Sequence, residues 1–287
     1  MRSLSTIDKN KINKIKYLEK NEAIKTAENK NKRNLLKSKS QIRENIPITK
    51  IATINMDNLR TKDSFKRLAK LMNKKKIDIG CIQETHNERM DVEEIENYTI
   101  YFGGSIVQGE SLNNNQNNYN KAGVAIIIKT TLIPLIKNVI RTNGRLMEIR
   151  LKTGNLIKSL SIINTYAPHK GYKQETIENY WNTTRAYLSL IPKNLTKIWG
   201  TDNNGQIARN EDNKNYVGEW AKSNVMENHN SKMLRNTCDE NDMVLRNTLF
   251  KPKNGDKTNL ATWYNTDGTI SKQLDYIAID EKKVEIG

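Results

Sequence analysis

Short apolar segments separated by turns dominate the chain, and only a few stretches show helical periodicity. Helical spacing of apolar residues occurs at Asp63–Lys75 and Gln174–Leu190, and Asn215–Asn241 is predicted to be helical in part. Several strand segments follow one another without an intervening helix, so the sheets are predicted to be largely antiparallel, with helices outside them. The predicted strands are Ile46–Ile54, Ile77–Gln83, Asn97–Gly103, Gly123–Lys129, Leu146–Lys152, Leu160–Thr165, Leu195–Thr201, Val244–Asn247, Ala261–Tyr264 and Leu274–Ile279, with an exposed loop at Ser111–Asn120.

Small polar clusters accompany the ends of five of these strands. Asn and Asp are ordinary turn residues, so each cluster taken alone is explained by a turn or a helix cap. Five such clusters on sequential strands suggest a shared location: if the strands lie side by side, their ends converge on one rim of the sheets. The clusters contain Asn55 and Asp57, Gln83 and Glu84, Asn164, Tyr166 and His169, Asp202 and Asn204, and Asp275.

The chemistry of this predicted rim favours a hard cation. It offers carboxylates, carboxamides and a phenol but no cluster of Cys and His, and zinc prefers nitrogen and sulfur ligands. Oxygen ligands suit Mg²⁺ or Mn²⁺. Magnesium bound by one or two carboxylates and by phosphate oxygens polarises a phosphodiester and stabilises its leaving oxygen.

Six motifs make the chain resemble the endonuclease/exonuclease/phosphatase superfamily, the group of DNase I and the exonuclease III-like AP endonucleases. They occur in the family's order and span about Ile46 to Ile279. The combination looks most like the endonuclease domains of non-LTR retrotransposons. The resemblance implies a DNase I-like four-layer α/β sandwich and a Mg²⁺-dependent DNA endonuclease. The motifs are INMDNLR (54–60), CIQETH (81–86), INTYAPH (163–169), WGTDNNGQI (199–207), ATW (261–263) and QLDYI (273–277).

The resemblance also implies roles for individual residues. Asp202 would orient or deprotonate the attacking water, and Asn204 would donate to a phosphate oxygen, as a carboxylate and an amide can. Tyr166 matches a tyrosine that hydrogen-bonds the phosphate, and Asp275 an aspartate that orients the catalytic histidine. The metal site would comprise Glu84, its supporting Asn55 and a second acidic residue, Asp57; Asn164, His169 and Trp263 would contact the substrate.

One family motif is missing. The superfamily closes with Ser-Asp-His on its last strand, whereas QLDYI is followed here by AIDEKKVEIG. We therefore expect residues 46–287 to form an endonuclease domain that is truncated at its C-terminus. Asp275 is then expected to lack its histidine partner, which would lower activity by about 10²–10⁴-fold.

Charge is concentrated near the start of the chain. The formal net charge is +16 over 287 residues, and residues 1–50 hold 14 basic and 5 acidic groups. We expect residues 1–45 to be a basic, disordered arm, because their apolar residues are sparse. An excess of basic residues suits a polyanionic partner. We predict that this partner is nucleic acid, in particular DNA. General solubility and a codon bias toward Lys, Asn and Ile are the competing explanation.

Two cysteines and the lack of a long apolar run indicate an intracellular protein without a membrane span. A DNA substrate would place it in the nucleus; no protein partner is predicted. Two alternatives to a DNA endonuclease stay open at this point. The chain could be an inactive nucleic-acid-binding remnant of such a domain, or a phosphodiesterase of the same fold that acts on another phosphoester.

Overall fold

The computed structural model describes residues 48, 50–106, 122–152, 159–221, 225–251 and 260–280. The expected basic arm at 1–45, the loop at Ser111–Asn120 and the chain end at 281–287 lie outside these residues, so the predictions made for them are not tested.

The first sheet has five strands, of which one pair is parallel and the rest are antiparallel. The strands are β1 (Ile51–Asn55), β2 (Ile79–Gln83), β3 (Val92–Ile95), β4 (Tyr98–Phe102) and β5 (Val124–Lys129). Their spatial order is β1-β2-β5-β4-β3, with β1 parallel to β2. Because β1 and β2 run in the same direction, both end at the same edge of the sheet.

The second sheet has six strands and again contains a single parallel pair. The strands are β6 (Ile136–Asn143), β7 (Leu146–Leu151), β8 (Leu160–Tyr166), β9 (Thr196–Asp202), β10 (Met243–Leu245) and, after a short ribbon of β11 (Trp263–Tyr264) and β12 (Ser271–Lys272), β13 (Asp275–Asp280). The order is β10-β13-β9-β8-β7-β6, with β8 parallel to β9. β13 is antiparallel to β9, so its first residue lies beside the last residue of β9.

In the described ranges, three helices cover the outer faces of the two sheets: α1 (Lys62–Lys75), α2 (Gln174–Leu190) and α3 (His229–Glu240). α1 buries Phe65, Leu68 and Met72 against the first sheet. α2 and α3 pack on the second sheet, around Trp181 and Trp199. A third apolar cluster fills the space between the sheets. The result is the four-layer α/β sandwich that the sequence predicts.

The sequence of α1 accounts for both of its ends. Thr61 accepts a hydrogen bond from the backbone N–H of Ser64, and the Ser64 hydroxyl accepts one from the Thr61 N–H, which makes a reciprocal N-cap. Lys76 ends the helix in the left-handed conformation, at a φ of 54°. The cap fixes where the chain turns after β1, and therefore how the β1–α1 loop lies at the edge of the sheet.

Most predicted elements match the observed ones. The predicted helices at Asp63–Lys75 and Gln174–Leu190 agree with α1 and α2, and the interval Asn215–Asn241 contains α3. Three strands, β3, β6 and the two-residue β12, were not predicted. β3 lies at the edge of its sheet and carries two glutamates, and β6 follows directly on a 3₁₀ turn that contains Pro134. Within the described ranges, no helix combines the length and apolar character needed to cross a membrane.

Candidate active site

The polar residues singled out from the sequence gather where the two sheets share an edge. Asn55 ends β1, Glu84 follows the last residue of β2, Tyr166 ends β8 and Asp202 ends β9. Asp275 begins β13 and pairs with Asp202 across the two strands. The prediction that the strand ends converge is therefore confirmed for these residues. We call this edge the rim.

Two hydrogen bonds connect the sheets at the rim. The side-chain amide of Asn55 donates to Oδ2 of Asp202 at 2.9 Å. The phenol of Tyr166 donates to Oε1 of Glu84, also at 2.9 Å. Each bond joins a residue of the first sheet to one of the second, over sequence separations of 147 and 82 residues. The two sheets thus contribute jointly to one polar constellation.

The turn after β9 positions Asp202 and Asn204. The backbone N–H of Asn204 donates to Oδ1 of Asp202 at 3.0 Å, and the Asn204 side chain donates to the carbonyl of Ala167 at 2.8 Å. Asn228, the N-cap of α3, donates to the carbonyl of Asn204 at 2.8 Å. Asn204 is held in the left-handed region, at a φ of 48°, which asparagine tolerates better than most residues.

Asp57 and Glu84 also have positive φ angles, of 54° and 52°. The Asp57 N–H donates to the side-chain oxygen of Asn55 at 2.9 Å, an Asx-type turn at the end of β1. Non-glycine residues in this conformation store backbone strain and are concentrated at functional sites. Three of the seven predicted catalytic or metal-binding residues are held in this way, which supports a functional reading of the rim.

Burial and like charge raise the pKa values of Asp202 and Asp275. Asp202 is 2% exposed, and burial together with the nearby carboxylates of Asp275 and Glu84 holds its pKa well above the ordinary 3.8. Burial raises the pKa of Asp275 to about 6, against the opposing effect of a hydrogen bond with Thr262. Burial and the Glu84 and Asp202 charges raise the pKa of Tyr166, which keeps its phenol protonated as a donor.

The donor set of the rim fits a hard divalent cation. Within the part of the chain that the structure describes, no three His, Cys, Asp or Glu side chains form a ready-made metal cluster. Magnesium does not require one, because it is usually held by one or two carboxylates, waters and substrate oxygens. Oδ1 of Asp275 is buried without a hydrogen-bond partner, and the charge of Glu84 raises the pKa of both Asp202 and Asp275. A cation near them would relieve that repulsion.

The three residues predicted to contact substrate lie in different environments. Asn164 is fully buried; its amide donates to the carbonyls of Ile82 and Ala125 and its oxygen accepts from Gln83 at 2.6 Å. These contacts make it a link between the sheets beneath the rim, and we give it a structural role in place of a substrate contact.

His169 lies on the segment between β8 and α2, and Trp263 lies on the short strand β11. Nδ1 of His169 accepts from the Gly171 N–H at 3.0 Å, and its ring meets Tyr172 edge-on at 4.8 Å. Trp263, on β11, is 40% exposed, with the ammonium of Lys272 5.4 Å from its ring centre. The neighbouring Thr262 hydroxyl accepts hydrogen bonds from the N–H groups of Leu274 and Asp275, which ties this ribbon to the rim.

Arg145 is a residue that the sequence reasoning missed. It is 1% exposed, its guanidinium lies 5.0 Å from the ring centre of Tyr166 and 4.9 Å from that of Tyr172, and it donates to the Tyr166 carbonyl. Its charge opposes the rise in the pKa of Tyr166. Arg145 follows Gly144 in the turn between β6 and β7. An arginine in a turn is usually exposed to solvent, so nothing in the sequence indicates that this one is buried.

Comparison with known proteins finds two relatives that are similar in sequence and several solved structures that are similar in fold. No protein-family model matches the chain. Craniofacial development protein 2 of Bos taurus is 25% identical over 201 residues, 70% of this chain and 31% of that protein. Its counterpart in Tragulus javanicus is 24% identical and covers 72% of this chain and 33% of that protein. The chain therefore spans about a third of the length of these curated relatives.

Three solved structures show the likeness in fold. The endonuclease domain of TRAS1, a telomere-specific non-LTR retrotransposon, matches with a TM-score of 0.52 and 18% identity, covering 82% of this chain and 86% of that one. The catalytic domain of Xenopus laevis APE2 gives 0.57 and 16%, covering 82% and 83%. The 3′ phosphatase NExo from Neisseria, bound to a product DNA hairpin, gives 0.53 and 14%, covering 81% and 86%. The chain thus has the DNase I-like α/β-sandwich fold, which it shares with a retrotransposon endonuclease domain, the APE2 catalytic domain and the phosphatase NExo.

Proposed function

We propose that the chain is a metal-dependent phosphodiesterase that cleaves DNA as an endonuclease. The observation that carries the proposal is the hydrogen bond from Asn55 to Asp202, because it brings the ends of β1 and β9 into one constellation with Glu84 and Tyr166. A buried carboxylate, an amide and a phenol at one rim are the groups needed to activate water and hold a phosphate.

Asp202 is the proposed base that orients or deprotonates the attacking water. A raised pKa makes its carboxylate a stronger base, closer to the pH at which the reaction would run. Its two oxygens already accept from Asn55 and Asn204, and an ionised carboxylate retains further lone pairs for a water. These two bonds fix the direction in which the carboxylate faces.

Asn204 and Tyr166 are the proposed donors to the phosphate. One N–H of the Asn204 amide is engaged by the Ala167 carbonyl, which sets the orientation of the amide and leaves the second N–H as a donor. Tyr166 keeps its proton because its pKa is raised, and in the present arrangement it holds Glu84. Fixed donors of this kind stabilise charge that develops on phosphate oxygens.

Glu84, Asp57 and Asn55 are the proposed residues that would hold Mg²⁺ or Mn²⁺. When bound, the ion would supply Lewis-acid polarisation of the phosphate and charge stabilisation at the leaving oxygen. The oxygen-only donor set and the unpartnered Oδ1 of Asp275 support a cation at this rim. Asp275 would set the local charge and, through its pairing with Asp202, the protonation state of the base.

DNA is the proposed substrate, and a retrotransposon-type endonuclease is the proposed class. The support is the likeness to the TRAS1 endonuclease domain and to NExo, a structure that contains a product DNA hairpin. A DNA substrate makes the nucleus the proposed location. A chain that binds DNA without cleaving it is the alternative that the experiment below separates.

The test uses one protein preparation against three phosphoesters: supercoiled plasmid, bis-p-nitrophenyl phosphate and p-nitrophenyl phosphate. We expect Mg²⁺-dependent nicking of plasmid, weak hydrolysis of the diester and none of the monoester. Preferential hydrolysis of the monoester would replace the endonuclease with a phosphatase. Plasmid binding without cleavage of any of the three, at any Mg²⁺ or Mn²⁺ concentration, would establish the binding-only alternative.

A further inference from the structure

The outer face of α1 is strongly basic. Between positions 62 and 76 the chain carries seven basic side chains and one acidic one, Asp63, and all seven are exposed. The basic residues are Lys62, Lys66, Arg67, Lys70, Lys74, Lys75 and Lys76. None of them forms an ion pair within the described part of the chain.

Composition alone does not explain this face. α2 carries two acidic residues and one basic residue, and α3 carries two of each. These helices belong to the same lysine-rich chain and cover the opposite side of the sandwich. The basic excess is therefore specific to the helix on the first sheet.

Four of the lysines form a regular row. Lys62, Lys66, Lys70 and Lys74 are spaced four residues apart, so they lie along one ridge of the helix, about 6 Å apart along its axis. Like charges at this spacing destabilise a helix. The row therefore works against the stability of the free protein, and a polyanion bound along it would remove that repulsion.

The row begins near the rim and leads away from it. The loop from Asn55 to Thr61 joins the end of β1 to α1, and the Leu59 N–H donates to the carbonyl of Thr85, next to Glu84. The chain then returns along α1 to the far edge of the sheet, where β2 begins. Fourteen residues of helix are about 21 Å long, roughly the length of six base pairs.

We propose that the Lys62–Lys66–Lys70–Lys74 row is a second nucleic-acid contact, which binds the sugar-phosphate backbone of the segment flanking the one held at the rim. This inference rests on the proposed action on DNA, and it adds a surface outside the catalytic constellation. Phosphate contacts of this kind hold and position nucleic acid without reading its sequence.

The test compares two double variants with equal changes in charge. Lys66→Gln with Lys70→Gln neutralises the middle of the row. Lys137→Gln with Lys152→Gln neutralises two exposed lysines at the second sheet, one on β6 and one directly after β7. Binding to an 8-base-pair and a 30-base-pair duplex is measured by fluorescence anisotropy over a range of salt concentrations. Glutamine is a good helix former, so α1 is retained.

We expect the α1 variant to bind the long duplex more weakly than wild type, with a salt slope reduced by about 1.8, and to bind the short duplex as wild type does. Its melting temperature should rise, because repulsion along the row is removed. The second-sheet variant should bind like wild type. Equal binding by both variants, or a falling melting temperature for the α1 variant with unchanged binding, would overturn the inference.

The outcomes also separate this inference from the proposed function. Wild-type cleavage of plasmid, with no effect of the α1 variant on binding, would refute the second contact alone. If wild type neither binds nor cleaves either duplex, both proposals fail. Vesicles of acidic phospholipid serve as a third probe, and α1-dependent binding to vesicles without α1-dependent binding to DNA would assign the row to a membrane surface instead.

Discussion

Asn55, the last residue of β1, donates a side-chain hydrogen bond of 2.9 Å to Asp202, the last residue of β9. The two residues are 147 positions apart and belong to different sheets. Asn55 also accepts from the Asp57 N–H, so one amide connects the proposed base with a proposed metal-binding residue. A change of the Asn55 amide should therefore affect both the proposed base and the proposed metal site.

Replacement of Asn55 by Asp should remove the donor to Asp202 and add a further carboxylate to a rim that already disfavours ionisation. We expect plasmid nicking to fall by about 10²-fold or more, the scale associated with loss of one positioned electrostatic group. Asn58→Asp makes the same chemical change at an exposed position three residues away and should leave nicking near the wild-type rate. Equal rates for the two variants would contradict the role of Asn55.

Arg145 should position Tyr166, because its guanidinium lies within about 5 Å of the ring centres of both Tyr166 and Tyr172. We expect Arg145→Met to lower kcat for nicking by about tenfold or more while KM changes little, since the phenol and Glu84 would lose their fixed orientation. The matched variant is Arg141→Met, which removes another buried arginine, bonded to the Phe102 carbonyl. Both variants should be less stable; a similar kcat for both would reduce Arg145 to a purely structural role.

Local pattern was sufficient to predict most of the sandwich and the convergence at the rim. Strand and helix periodicity give α1, α2 and most strands, and a polar residue directly after an apolar strand lies at a strand end. The burial of individual side chains could not be predicted. Asn164 and Tyr166 are two residues apart on the same face of β8, and only the packing of the two sheets shows that Asn164 is enclosed. The role of Arg145 could not be predicted either, because it follows from contacts with two tyrosines that are distant in the sequence.

Replacement of Asp275 by Asn should stabilise the metal-free protein at alkaline pH and impair catalysis. The pKa of Asp275 is raised from 3.8 to about 6, so the folded state binds this proton more tightly than the unfolded chain does. Its stabilising contribution is complete below pH 3.8 and is lost as the pH rises through 6. The free energy of unfolding of the variant should therefore exceed that of wild type by at most about 3 kcal/mol at pH 8, and by little at pH 4.

Urea denaturation in EDTA at the two pH values measures this effect. Asp280→Asn is the control, because Asp280 is also buried on β13 but accepts from the Lys197 N–H at 2.7 Å and pairs with its ammonium. That variant should lose stability at pH 8. A loss of stability at pH 8 for Asp275→Asn as well would show that burial does not disfavour the ionised form of Asp275 in the folded protein.

The link between Gln83 and Asn164 should contribute to stability as a unit. Asn164→Leu removes the hydrogen bonds that Asn164 donates to the carbonyls of Ile82 and Ala125 and the one that it accepts from Gln83, whose amide still donates to Thr53. The change should cost about 2–4 kcal/mol. Gln83→Leu should cost somewhat less, since Gln83 has an unbonded Oε1 already. The double variant should lose less stability than the sum of the two single losses, by about 1 kcal/mol. A double-mutant cycle in urea measures this difference, and strict additivity would mean that the two side chains do not interact.

The most direct test of the central claim, that the rim is a hydrolytic site, is the Mg²⁺-dependent nicking of supercoiled plasmid by wild type, Asp202→Asn and Asp280→Asn. Folding of each protein is verified by circular dichroism before the assay. The account predicts nicking by wild type that EDTA abolishes, a loss of at least 10²-fold in Asp202→Asn, and nicking per folded molecule close to wild type in Asp280→Asn. Nicking by Asp202→Asn at the wild-type rate would contradict the account, because the proposed base would then take no part in the reaction.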